Sequence, residues 1–201
     1  EVRDTINKLR AKNLDDDSFI KKFSDIFKEN KMESISEGTF FSSILFISAL
    51  DETNKIETFL EKFENAESPQ MQGRYRAVLG QVRDQNASKK IVEFMLDGRI
   101  RGADCPYILA SMITNKYIGK KSWKVIKENF NDLLNVMPDW TASRILDALP
   151  AIYDEEFAGD IKNFIKKNPL PSSEKLAAQK LERLEANIEF MDNLKEVNNE
   201  T

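Results

Sequence analysis

Apolar residues along this chain recur at spacings of three and four. Between Gly119 and Met137 the residues Trp123, Ile126, Phe130, Leu133 and Met137 share one helical face, while Lys120, Lys121, Lys124, Lys127, Glu128 and Asp132 fill the other. The spacing predicts one amphipathic helix ending at Pro138, with its apolar stripe buried. The same period recurs in Phe19, Phe23, Ile26 and Phe27, in Ile56, Phe59, Leu60 and Phe63, in Met71, Tyr75, Val78, Leu79 and Val82, and in Phe157, Ile161, Phe164 and Ile165. Between Ser34 and Leu50 the apolar band wraps most of the helix, which predicts a helix sandwiched between others. The last helix carries Ala177, Leu181, Leu184, Ile188, Met191 and Leu194.

Start and stop signals fit that reading. Asp15-Asp16-Asp17-Ser18, Ser68-Pro69, Ser88, Asp104 with Pro106, Asp154 and Ser172 read as helix starts, and Asp97-Gly98 reads as a left-handed C-terminal cap. The three aspartates lack the alternating ligands, central glycine and distal glutamate of a calcium loop, so capping is the better account. No segment shows sustained period-two alternation between hairpin turns. The expectation is an all-α fold of helix pairs in units of roughly 30 to 40 residues, a right-handed α-α superhelix of the HEAT or armadillo kind with a concave inner wall. The tetratricopeptide Trp-Leu-Gly-Tyr pattern is absent.

Composition narrows the functions. With 201 residues and 41% hydrophobic side chains the chain can bury a real core, and a single helical domain over residues 1–201 is expected. Its 30 basic and 34 acidic residues give a formal net charge of −4, which does not favour nucleic acid as a partner. No apolar run reaches bilayer length and no signal peptide opens the chain, so no membrane partner and a cytoplasmic location are expected. The start at Glu1 without methionine suggests a processed chain or an excised domain.

There is no histidine and one cysteine, Cys105. A zinc site of the usual nitrogen and sulfur ligands, or a histidine-based triad, cannot be assembled from these residues. Cys105 lies beside Asp104 near a helix N-terminus, which could activate its thiol; without a histidine partner, a small core residue is the better reading. Asn86-Ala87-Ser88 and Asn199-Glu200-Thr201 match the glycosylation sequon, and the first is more simply a turn before a Ser88 cap. Basic residues cluster near loops: Arg99 and Arg101 flank Ile100, Arg74 and Arg76 straddle Tyr75, and Lys120 and Lys121 precede Trp123. On a concave wall they would favour an anionic ligand such as a carboxylate held by arginine, and solvated surface charge is the competing reading for each.

The succession GRIRGADCPYILASMITN, IGKKSWKVIKENFNDLL, ALPAIYDEEFAGDIKNFI and KLAAQKLERLEANIEFMDNL resembles the C-terminal helical domain of the M1 zinc aminopeptidases. Ile100, Arg101 and Asp104 match the family's valine/isoleucine-Arg-x-Gln-Asp turn, with Ala103 in place of glutamine. Gly119, Trp123 and Asn129 match its Gly-x-x-x-Trp-x-x-x-x-x-Asn-Trp signature, with Phe130 replacing the second tryptophan. Asn187 and Phe190 fit later asparagine and aromatic positions, and Glu182 is closer than Glu185 to the family glutamate. The likeness runs from Val2 to about Leu194, and the short loops and the Lys, Asn and Ile usage suggest a microbial member similar to the archaeal tricorn-protease-interacting aminopeptidases.

The resemblance implies a parent enzyme with zinc held by a His-Glu-x-x-His motif plus a downstream glutamate, a Gly-x-Met-Glu-Asn motif for the substrate amino group, and an oxyanion-stabilising tyrosine. None of these motifs is in this sequence, so the chain itself is expected to carry no catalytic residue and no cofactor, with zinc belonging to the parent. The implied role is a roof over the catalytic cleft that gates entry and contacts peptide substrates, with the catalytic and N-terminal domains of the same enzyme as partners. Arg101, Arg74 and Lys121 are the candidate substrate contacts, and Arg101 has the best claim because it sits on a family motif. The alternative is a stand-alone α-solenoid adaptor holding a protein or peptide in its groove.

Overall fold

The computed structural model describes residues 6–11, 16–29, 38–170 and 173–199, and among these it contains helices and no strand. Two compact units divide the chain, residues 1–93 and 94–201. Ser34, Asp15, Ser172 and the Asn199-Glu200-Thr201 sequon lie wholly or partly outside the described residues.

The first unit holds α1 (Asp17–Lys28), α2 (Gly38–Ala49), α3 (Ile56–Glu64) and α4 (Pro69–Leu79), and most of α5 (Ala87–Leu96). At the start of α1 the expected cap forms: the Asp16 carboxylate accepts from the Phe19 amide at 3.0 Å and the Ser18 hydroxyl at 2.8 Å. Arg10 joins it at 2.7 Å, and with these donors the Asp16 carboxyl falls to about 2. Helix α2, apolar nearly all round, packs against α1 and α4. Phe27 stacks on Phe59 with ring centroids 5.0 Å apart, which ties α1 to α3.

Buried polar groups in this unit close gaps between helices. The Asn54 amide donates to the Ser24 hydroxyl at 2.8 Å and to the Ser48 carbonyl at 2.9 Å. Asp84, only 4% exposed, accepts from the Ile56 amide at 3.1 Å and so caps α3 from 28 residues away. The Asp84 carbonyl accepts from the Ala87 amide, so α5 begins at Ala87 and Ser88 lies inside its first turn as a buried residue rather than as the cap. Ser68 does cap α4, accepting from the Met71 amide at 3.2 Å.

The second unit holds the end of α5, then α6 (Cys105–Ile113), α7 (Gly119–Glu128), α8 (Phe130–Val136), α9 (Asp139–Ala142), a 3₁₀ helix (Ser143–Ala151), α10 (Glu155–Lys167) and α11 (Glu174–Asn199). Gly98 ends α5 in the left-handed region at φ 73°, as the Asp97-Gly98 pair predicts. Helix α6 is the apolar centre of this unit and packs against α7 and the 3₁₀ helix, and the 3₁₀ helix in turn packs against α11.

Two elements differ from the sequence reading. The stripe from Trp123 to Met137 is buried throughout, but it is split between α7 and α8 at Asn129. There the side-chain amide donates to the Val125 carbonyl at 2.8 Å, competing with the backbone for the acceptors of the last turn. The segment beyond Pro138, in a chain expected to be all α-helix, forms a short α turn and then a 3₁₀ helix that contains Pro150. Proline has no amide to donate, and Ile145, Leu146 and Leu149 are buried all the same. In α11 the predicted stripe is buried at Leu181 and Leu184 and opens to solvent by Leu194.

Candidate functional site

The turn between α5 and α6 carries the best of the sequence candidates, Arg101. Four contacts shape that turn. The Arg99 and Ile100 amides both donate to the Phe94 carbonyl, at 3.0 and 3.1 Å, and Ile100 is buried. The Arg99 guanidinium lies 3.5 Å from the centroid of the Phe94 ring. Gly102 then passes so close to the end of α8 that a Cβ there would lie 2.0 Å from the Val136 carbonyl oxygen.

Arg101 projects from this fixed turn. Its Nε donates to Asp104 Oδ2 at 3.0 Å and its Nη2 lies 2.9 Å from the same oxygen, while the arginine side chain is 76% exposed and the aspartate 14%. Asp104 makes no side-chain cap to α6, so its carboxylate orients Arg101 instead of closing the helix. The outer N–H donors of the guanidinium face solvent and can take a carboxylate or a carbonyl.

Lys121 is exposed in the first turn of α7. Its neighbour Lys120 pairs with Asp154 at 2.7 Å, and the hydrogen bond it donates to that carboxylate raises the lysine pKa. Arg74 belongs to the first unit, half-buried on α4, with its guanidinium 5.2 Å from the Phe41 ring centroid and Nη1 3.5 Å from the Met71 sulfur. It therefore packs against apolar surface as much as it faces water.

Chemistry of the reactive kind has little to draw on. Cys105 is buried, and burial, with the nearby Asp104 charge, pushes its thiol up to about 12, which supports the core reading over the reactive one. Among the described residues no group of three or more His, Cys, Asp or Glu is placed to hold a metal ion, and the sequence contains no histidine. The donors among the described residues do not fit a zinc ion.

The tryptophan signature turns out to be structural. Trp123, 1% exposed, donates its indole N–H to Asp160 Oδ2 at 3.0 Å, and Lys127 reaches the same oxygen at 2.6 Å. Phe164 stands edge-on to Trp123 and to Phe130, with centroids 5.2 and 5.0 Å away. Gly119 lets the start of α7 approach α6, because a Cβ would lie 2.5 Å from the Ile113 carbonyl oxygen. Asn187 donates to the Pro150 carbonyl at 2.7 Å and anchors α11 on the end of the 3₁₀ helix. Asp160 escaped the sequence reading because it lies 37 residues from Trp123, with no local signal linking them. Asp104 could have been paired with Arg101 from their spacing alone.

These features define an all-helical domain whose motif residues position helices and present one oriented arginine. The model of the ERAP1-like C-terminal domain matches residues 2–186, and the chain belongs to that family. The family implies the C-terminal domain of an M1-like aminopeptidase. No helix among the described residues is long and apolar enough to cross a membrane.

Proposed function

We propose that this chain serves a cytoplasmic, zinc-dependent aminopeptidase of the M1 family as the domain that roofs its active-site cleft. It gates access and contacts the peptide away from the substrate N-terminus, and its partners are the catalytic and N-terminal domains of the same enzyme and the peptide itself. The observation that carries this reading is the family match over residues 2–186. Arg101 is the principal substrate contact, held by Asp104 so that little rotamer freedom is lost when it meets a carboxylate. Arg74 and Lys121 are secondary contacts.

A roof of this kind acts by excluding water and completing the site on closure rather than by supplying reacting groups. The complete reading frame containing this chain should encode a His-Glu-x-x-His motif, and its product should release N-terminal residues in a zinc-dependent way. A frame without that motif, yielding a product without such activity, would overturn the assignment.

A further inference from the structure

Helices α10 and α11 leave between them an open groove of about 480 Å³, wholly inside the second unit. Its floor is apolar: Ala158 and Leu184 are buried, Ile188 is half-buried, and a Cβ at Gly159 would meet nothing within 4 Å. Glu155 on α10 and Glu189 and Asp192 on α11 contribute to its walls. Lys162 pairs with Glu185 across the two helices, and that contact lowers the glutamate pKa. The groove thus carries one ammonium, matched by Glu185, while Glu155 and Glu189 add two further carboxylates.

We infer that the α10–α11 groove is a docking site for a basic amphipathic segment of a partner polypeptide. The span from Glu155 to Lys162 is about 10 Å at 1.5 Å per residue, close to two helical turns of a guest. Apolar side chains of the guest lie over Gly159 and Ile188, and its lysines or arginines meet Glu155 and Glu189. A neutral apolar guest would leave those carboxylates partly desolvated without a counter-charge, and an acidic one would be repelled, so the wall chemistry selects a cationic guest. This inference is independent of the substrate contacts proposed for Arg101.

The test uses the 201-residue chain and a fluorescein-labelled peptide of about 14 lysines and leucines, with leucine at helical i, i+3, i+4 and i+7 positions. A scrambled peptide of the same composition is the control. Anisotropy should show saturable binding of the patterned peptide, weakened at least about tenfold by Gly159→Leu, which fills the groove, and similarly by Glu189→Lys. Glu189 is exposed, a Cβ at half-buried Gly159 meets nothing within 4 Å and Leu is a good helix former, and unchanged Trp123 fluorescence confirms that each variant is folded. Glu189→Lys alone suffices should Gly159→Leu misfold. Equal binding to wild type and variants, equal binding of the scrambled peptide, or no saturation with wild type would overturn the docking site.

Discussion

Replacing Gly102 by alanine tests whether the Arg101 turn is locked against α8. The added Cβ would lie 2.0 Å from the Val136 oxygen and 3.1 Å from its carbonyl carbon, with Pro138 Cδ 3.4 Å away. The oxygen contact is backbone, so no flexible side chain can swing aside, and the turn or the end of α8 must retreat by more than an ångström. Overpacking of this severity costs about 3 kcal/mol, the upper part of the usual range. Both tryptophans, Trp123 and Trp140, lie in the second unit, the first 1% and the second 75% exposed. Emission from buried Trp123 therefore reports unfolding of this unit without interference from residues 1–93. The urea midpoint of that signal should fall by about 1–3 M for Gly102→Ala, whereas Ala103→Gly should cost no more than about 1 kcal/mol. A Gly102→Ala midpoint equal to wild type would refute the close approach and the positioning of Arg101 that depends on it.

Other substitutions probe the packing around the site. Asp160→Ala leaves the buried Trp123 indole N–H without its acceptor and should cost about 2 kcal/mol by chemical denaturation; the cost should shrink in a Trp123→Phe background if that bond is the cause. The Ser43 hydroxyl on α2 is buried with no hydrogen-bond partner among the described residues, so Ser43→Ala should be neutral or raise stability by up to about 1 kcal/mol in thermal unfolding. Burial alone would raise the Asp51 pKa, but hydrogen bonds from Ser24 and Thr53 and the Lys28 charge outweigh it and hold the carboxyl at about 2, below its ordinary 3.8. A depressed carboxyl stabilises the fold above its unfolded value, and that contribution is lost as pH falls from about 4 towards 2. Helical circular dichroism over that window should show acid destabilisation that is smaller in Asp51→Asn.

Most of the helices were legible because each buries one stripe. Phe19 to Phe27, Ile56 to Phe63 and Phe157 to Ile165 announce their faces by spacing alone, and Asp16, Ser68 and Asp154 announce their starts by local hydrogen-bonding chemistry. The helix break at Asn129 was not legible, because the apolar period continues across it and the interruption comes from a single amide turning back on Val125. Asp84 illustrates a second limit: it caps α3 through a contact 28 residues away, where Ser88 looked like the local cap of α5. For the candidate site, the sequence singled out the Arg101 turn and the glycine-to-tryptophan signature but not their mechanics. Gly102 and Gly119 matter because an added Cβ would lie 2.0 and 2.5 Å from a backbone oxygen of a neighbouring helix, a closeness that no pattern of residue types encodes. Arg74 and Lys121 stand out in the sequence by charge and loop position, and the packing of Arg74 on Phe41 follows from tertiary structure alone.

Arg101 in the complete enzyme offers the most direct test of a substrate-contacting roof. The measurement is kcat/KM of wild type and Arg101→Ala for a series of peptides of increasing length and for a single-residue chromogenic amide. A charged hydrogen bond to the distal end of a substrate is worth about tenfold or more. A substrate-contacting Arg101 therefore predicts a loss of that size for longer peptides, with the amide unchanged. Equal losses on amide and peptides would assign Arg101 to structure alone and contradict a substrate-contacting roof.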